Sequence, residues 1–220
     1  MELKELFERL SRLDPAAIAD ANKAIRVLLP SIRPIQSGLQ LLGQAYTVQC
    51  KDDFFAVIAA LDDAMPGDIL VIDTQDSSVA VVGELFSLEA VRAGLGGIVI
   101  DGLCRDLTTI RTLEMPVYAR ASSPVSGTIK ALGERQLPIQ CGGVEINPGD
   151  IMFGDDDGII VGSTSELATL LPAAEAIKQT EQAVIEHLGN GTSLLSLLNF
   201  TEHRNGIQAG DTTSALKFKL

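Results

Sequence analysis

Two apolar runs, Ile69 to Asp73 and Gly97 to Asp101, constrain the fold of this chain more than any other feature. Both are mostly β-branched and lack polar alternation, which is the pattern of a strand buried on both faces. Between them, Val79 to Ala93 reads as a helix, with Gly94 placed as its left-handed C-cap. Strand, helix, strand in that order requires a crossover, which makes the two strands parallel. The rhythm extends both ways. Leu42 to Cys50 reads as a strand and Phe54 to Met65 as a helix, and Pro66-Gly67-Asp68 then turns into the first run. After the second run, Asp106 to about Leu113 reads as a helix and Val117 to Ala119 as a strand.

Leu3, Leu6, Phe7, Leu10 and Leu13 fall at helical spacing, so a helix is expected over 2–13 and a second over 15–24. From 124 to 162 the pattern shortens to strands at Ile139 to Val144, Ile151 to Phe153 and Ile159 to Val161. Pro148-Gly149-Asp150-Ile151 echoes Pro66-Gly67-Asp68-Ile69. Ser163-Thr164-Ser165-Glu166 is a capping box for a helix reaching about Leu188, with a break at Pro172. The tail beyond Phe200 is expected to be loosely held or to serve an intersubunit contact. No linker divides the chain.

An apolar content of 46% with only 4% aromatics and no Trp points to an aliphatic α/β core. The net charge of -12, with no basic stripe, argues against nucleic acid and anionic membranes as partners. No apolar run reaches membrane-spanning length, and the charged N-terminal helix has no signal-peptide core, so a cytoplasmic protein is expected. Cys50, Cys104 and Cys141 lack metal or disulfide spacing and read as free thiols. His187 and His203 fall in no ligand pattern. G-x-S-x-G, P-loop and dinucleotide fingerprints are absent.

Three segments could carry chemistry. Asp101, Arg105 and Asp106 follow the second apolar run, where open α/β sheets bind ligands. Arg105 offers a planar fork to a carboxylate and Asp106 offers oxygens to a hard cation. Equally, Asp106 caps the next helix and Arg105 makes a surface ion pair. At Gly83-Glu84-Leu85-Phe86, a helix start would present free N–H groups to an anion, or Gly83 eases helix packing. Asp155-Asp156-Asp157-Gly158 lacks the alternation of a calcium loop and reads as a turn.

Glu84 is followed by twenty residues and then Arg105-Asp106. This resembles the D/E-x20-R-D pattern of the class II pyruvate aldolases in the RraA-like family. "GQAYTVQC", "PGDILVID", "GELFSLEAVRAGLGGIVIDGLCRD", "MPVYARASSP" and "GGVEINPGDIMFGDDDGIIV" are similar to that family's blocks, in its order. The resemblance covers about residues 14–186 and leaves a C-terminal helix and tail over 187–220. It implies one domain over 1–220, a swivelling β/β/α sandwich assembled as a homotrimer or homohexamer with active sites between subunits. It also implies a lyase that cleaves a 2-oxo-dicarboxylate of the 4-hydroxy-4-methyl-2-oxoglutarate type and decarboxylates oxaloacetate. Position by position, backbone N–H groups of Gly83, Glu84, Leu85 and Phe86 would hold the pyruvyl carboxylate. Arg105 would bind the enolate oxygen, Asp106 a Mg²⁺ or Mn²⁺ ion partly through waters, and Glu84 would orient water. Asp101 stands either as a residue that supports Arg105 and Asp106 without touching the substrate or as a turn former. Ala121 and Gly162 depart from the family's usual Gly and Pro, and the family's intersubunit glutamate matches no position. The other function that the resemblance implies is a non-catalytic protein that binds and regulates a ribonuclease.

Overall fold

The computed structural model describes residues 1–219. In chain order its elements are α1 (Leu3–Leu10), α2 (Pro15–Ala21), β1 (Arg26–Val27), β2 (Arg33–Pro34) and β3 (Leu41–Gln49). Next come α3 (Phe55–Asp63), β4 (Ile69–Asp73), β5 (Ala80–Val82), α4 (Glu84–Arg92), β6 (Gly97–Cys104), α5 (Leu107–Ile110) and β7 (Val117–Ser122). Then follow β8 (Glu134–Arg135), β9 (Ile139–Cys141), β10 (Val144–Ile146), β11 (Ile151–Asp155), β12 (Gly158–Gly162), α6 (Thr164–Gly189) and α7 (Phe200–Gln208). The chain forms two compact units, 1–171 and 172–220.

The first unit is mixed α/β. Its main sheet runs β1-β12-β11-β3-β4-β6-β7-β2, with β5 paired to β6 and β8 to β3. The pairs β3–β4, β4–β6 and β6–β7 are parallel, as the crossover rhythm predicts. β11 and β12 add an antiparallel hairpin, whose turn is Asp155 to Gly158. That turn closes with the Asp157 N–H donating to Asp155 Oδ1 at 2.9 Å.

Side chains alternate across the central strands. Leu70, Ile72, Ile98, Ile100, Val117 and Ala119 face one core cluster, shared with Ala56, Val57 and Ala60 of α3 and Ala90 of α4. Ile69, Val71, Val99 and Tyr118 face a second, closed by Ile139, Cys141 and Ile146 of the β9–β10 hairpin. Hairpin, sheet and helices thus stack as the three layers of a β/β/α sandwich. Every residue of β4 is buried, which is why its sequence shows no polar face.

The two Pro-Gly-Asp turns are built alike. Gly67 and Gly149 take φ of +90° and +82°, positions that favour glycine. Asp68 Oδ2 accepts from the Met65 N–H at 2.9 Å, and Asp150 Oδ2 accepts from the Asn147 N–H at the same distance. The capping box also forms, with the Glu166 N–H donating to Ser163 Oγ at 3.1 Å.

Several local expectations change. Ile139 to Val144 is not one strand: β9 ends at Cys141, the chain turns at Gly142-Gly143, where φ is positive, and β10 pairs back antiparallel. Val79 to Val82 is not helical: Ala80–Val82 is a strand, held by pairing with Leu103 and Cys104 at the end of β6. β6 and β7 run on to Cys104 and Ser122, because their ends pair with each other and β5 pairs with the other edge of β6 there. α6 continues through Pro172 without a break. The tail beyond Phe200 is ordered by its own contacts: within the second unit α7 is followed by a return, with Leu198 bridging Phe218 and the Asn199 side chain bonding the backbone of Ala215 and Lys217. Among the described residues no helix is long and apolar enough to cross a membrane.

Candidate active site

Arg105 and Asp106 follow β6 directly, and α4 opens directly after β5. Because β5 runs parallel to the end of β6, the start of α4 is brought beside Arg105-Asp106. The Arg105 N–H donates to the Val82 carbonyl at 3.0 Å, extending the pairing into the loop. Local folding therefore brings together the residues that the D/E-x20-R-D spacing singled out.

Asp106 sits in the left-handed region, at φ 60° and ψ 38°, where Asp is among the more tolerant residues. It occupies the N-cap position of α5, yet its side chain makes no cap bond there. Its Oδ2 instead accepts the Glu84 N–H at 3.1 Å, capping α4 from a distance, and lies 3.4 Å from Arg105 Nε. Asp106 therefore does not cap the helix that follows it; its side chain serves the start of α4 instead.

Gly83 makes room for this contact. Its backbone is extended, so conformation does not demand glycine. Space does: a Cβ there would lie 2.5 Å from Asp106 Oδ2 and 3.0 Å from Arg105 Cγ. The first-turn N–H groups of α4 have no acceptors within the helix. Glu84 gives its own to Asp106, which leaves those of Leu85 and Phe86 for an anion. The Glu84 carboxylate is half-buried and fixed by Thr109, with Oε2 accepting from Thr109 Oγ1 at 2.7 Å.

Gly83, Glu84, Leu85, Phe86, Arg105 and Asp106 line one cavity of about 410 Å³, whose other walls include Phe54, Ile58, Ser126 and Ile129. A larger depression of about 520 Å³ beside Pro148, Asp150 and Ser163 contains none of these residues. Asp101 does not line the cavity. Its side chain is buried, accepts the Gly142 N–H at 2.7 Å and pairs with Arg120, which also donates to Asp76 at 3.0 Å. It joins β6 to the hairpin layer. None of the three thiols lines the cavity either. Burial pushes Cys50 up to about 12 and Cys104 up to about 11, and raises Cys141 also, so all stay protonated near neutral pH.

Sequence reasoning passed over the residues that complete the cavity. Phe54 and Ile58 begin α3, and Ser126 and Ile129 come from the segment after β7. No local motif marks them; only folding brings the two segments together.

A divalent cation can be judged by its donors. Among the described residues no cluster of three or more His, Cys, Asp or Glu side chains could hold a metal ion. Asp106, which lines the cavity, makes both of its side-chain contacts through Oδ2, and no contact among the described residues engages Oδ1. One carboxylate with the remaining positions filled by water is a donor set that Mg²⁺ accepts and a closed structural zinc site does not. The residues fit a cation held largely through water.

Known proteins support the comparison of this geometry with one family. The family model described as Aldolase/RraA (RraA-like) matches residues 15–161. A protein from Halalkalibacterium halodurans, provisionally named a 4-hydroxy-4-methyl-2-oxoglutarate aldolase, is 33% identical over 181 residues, covering 81% of this chain and 86% of its own. An uncharacterized protein from Pseudomonas syringae superposes with a TM-score of 0.77 at 28% identity, over 88% of this chain and 96% of its own. RraAS2 of Streptomyces coelicolor, described as an unusual member of the RNase ES inhibitor RraA protein family, superposes with a TM-score of 0.74 at 28% identity, over 83% and 98%.

Proposed function

The chain belongs to the RraA-like family, and from that membership we propose that it is a divalent-metal-dependent lyase of the aldolase type. Its substrate is a short 2-oxo-dicarboxylate such as 4-hydroxy-4-methyl-2-oxoglutarate, and it decarboxylates oxaloacetate at the same site. The observation that carries this reading is the Glu84 N–H···Asp106 contact, which sets an arginine, a carboxylate and a helix N-terminus around one cavity.

The free N–H groups of Leu85 and Phe86 bind the pyruvyl carboxylate at the positive end of α4. Arg105 donates to the 2-oxo oxygen, where negative charge develops as the C3–C4 bond breaks. Asp106 would hold Mg²⁺ or Mn²⁺, which when bound adds positive charge at that oxygen. In the retro-aldol direction the C4 hydroxyl loses its proton to a base and C4 becomes a carbonyl. The electron pair of the C3–C4 bond passes into the pyruvate enolate, which takes a proton at C3. Decarboxylation of oxaloacetate gives the same enolate with carbon dioxide as the leaving fragment. Glu84, fixed by Thr109, orients the water that supplies or removes protons. No lysine is required, since the charge is met without a Schiff base.

Pyruvate release from both substrates tests the proposal. It is expected with Mg²⁺, is lost in EDTA, and falls about 10²–10³-fold in Asp106→Ala, the range for one charge-stabilising group. Metal-independent behaviour and a fully active Asp106→Ala protein would overturn it. The second reading is a ribonuclease regulator, which the similarity to the Streptomyces protein favours. That reading expects no pyruvate release and inhibition of a ribonuclease. We also propose that the working form is a homotrimer or homohexamer, so sedimentation should give three or six times 23.3 kDa; a monomer would exclude a site shared between subunits.

A further inference from the structure

The cavity that Arg105 and Asp106 line is also lined by Phe54, Ile58 and Ile129, which give it an apolar wall. Phe54 is braced edge-on against Phe86, with ring centroids 5.4 Å apart. Ile58 and Ile129 are 40% and 60% exposed, so the wall offers surface that a ligand can cover. It is continuous with the polar end of the same cavity.

The wall is assembled from two segments far apart in sequence, and one buried carboxylate ties them. Asp53, 3% exposed, accepts the Phe55 N–H at 2.9 Å at the start of α3. It also accepts from Thr128 Oγ1 at 2.6 Å, from the Lys130 N–H at 2.5 Å and from the Ala131 N–H at 3.2 Å. Backbone bonds from Phe54 N to Thr128 O and from Thr128 N to Asp52 O, each 2.9 Å, complete the clasp. Burial alone would raise the Asp53 carboxyl, but these hydrogen bonds outweigh it and hold it down to about 2. The same hydrogen bonds that join the two segments therefore favour the ionised form of Asp53.

We propose that Phe54, Ile58 and Ile129 form a subsite for an alkyl branch on C4 of the substrate, with Asp53 as the positioning residue that keeps the two halves of the wall together. The inference rests on the lyase reading above. There C1 is held by the Leu85 and Phe86 N–H groups and the 2-oxo oxygen by Arg105, and the proposal seats what lies beyond the cleaved C3–C4 bond against these apolar residues of the same cavity. A C4 methyl loses contact with water there, whereas a hydrogen at the same place gains nothing from the apolar surface.

Specificity constants for 4-hydroxy-4-methyl-2-oxoglutarate and 4-hydroxy-2-oxoglutarate, which differ by that methyl, measure the subsite. Oxaloacetate, which has no alkyl group on C4, reports whether the enolate end works. A methyl in an apolar pocket discriminates by roughly 10–200-fold. We expect Ile129→Asn to lower the wild-type ratio of the two constants by about 10-fold on that scale, and Ile129→Val to preserve it. Asp53→Asn should lower the ratio through a raised KM for the methylated substrate and not through kcat. Ile58→Asn, also at an exposed position, replaces Ile129→Asn if that protein does not fold. An unchanged ratio in the folded asparagine variant, with pyruvate still released from oxaloacetate, overturns the subsite and leaves the lyase reading standing. No release by wild type from any of the three substrates overturns both.

Discussion

At Gly83 the demand for glycine comes from a neighbour and not from the backbone. Alanine can adopt the extended φ and ψ found there, but its methyl would meet the Asp106 carboxylate and the Arg105 side chain. Both are side chains at a cavity edge and can move aside, so the fold survives while the charged pair is displaced. Gly83→Ala is thus expected to lower kcat/KM for pyruvate release at least 10-fold, since such misplacement is costly. Its Tm should fall by no more than a few degrees, equivalent to about 1 kcal/mol. A Tm collapse, or full activity, would contradict this reading. Asp101 makes the converse point. It stands in the same charged run as Arg105 and Asp106, yet it binds the hairpin and Arg120. Alternation along β6 decides the matter, because Asp101 shares the face of Val99 and not that of Ile100.

The two Pro-Gly-Asp turns show how far an element can be read from its residues. Their sequence echo became the same backbone turn with the same Asp bond. They differ in surroundings: Asp150 is buried and also takes the Arg26 guanidinium at 2.8 Å, which Asp68 does not. Asp68→Ala should cost about 1 kcal/mol, and Asp150→Ala about 2–3 kcal/mol because it also removes the charged partner of a half-buried arginine, which keeps only the Glu145 carbonyl. Equal losses in chemical denaturation would show that the ion pair contributes nothing. β4 could be read correctly because its apolar run is closed by turn residues on one side and a buried acid on the other. β5 could not. Three residues carry too little pattern to oppose a helical reading of 79–93, and the strand exists only through its pairing with the end of β6. Glu84, Arg105 and Asp106 could be grouped in the sequence only through the family pattern they resemble, and the fold brings them to one cavity. The clasp at Asp53 was not, because its partners Thr128, Lys130 and Ala131 lie 75 to 78 residues away. Nothing in "KDDFF" marks one acid as buried.

In the first unit the order of layers makes the sheet both scaffold and core. The helices supply one cluster and the hairpin the other, and β4 and β6 belong to both. Arg105 and Asp106 hang from the end of β6, so the polar end of the cavity is attached to the most enclosed part of this unit. The apolar wall is not, since Ile129 rides on a loop held chiefly by Asp53 and its backbone partners. The burial of β4 on both faces therefore has a consequence in time as well as in space. Its amide protons and those of the first part of β6 can reach solvent only when the whole unit opens, whereas amides at 126–131 need only a local opening. Deuterium uptake followed by mass spectrometry should find the strand behind Arg105 to be the slowest segment and the Ile129 loop much faster. The same cavity would then have one wall that keeps its shape for as long as the unit stays folded, and another that is renewed many times within that lifetime.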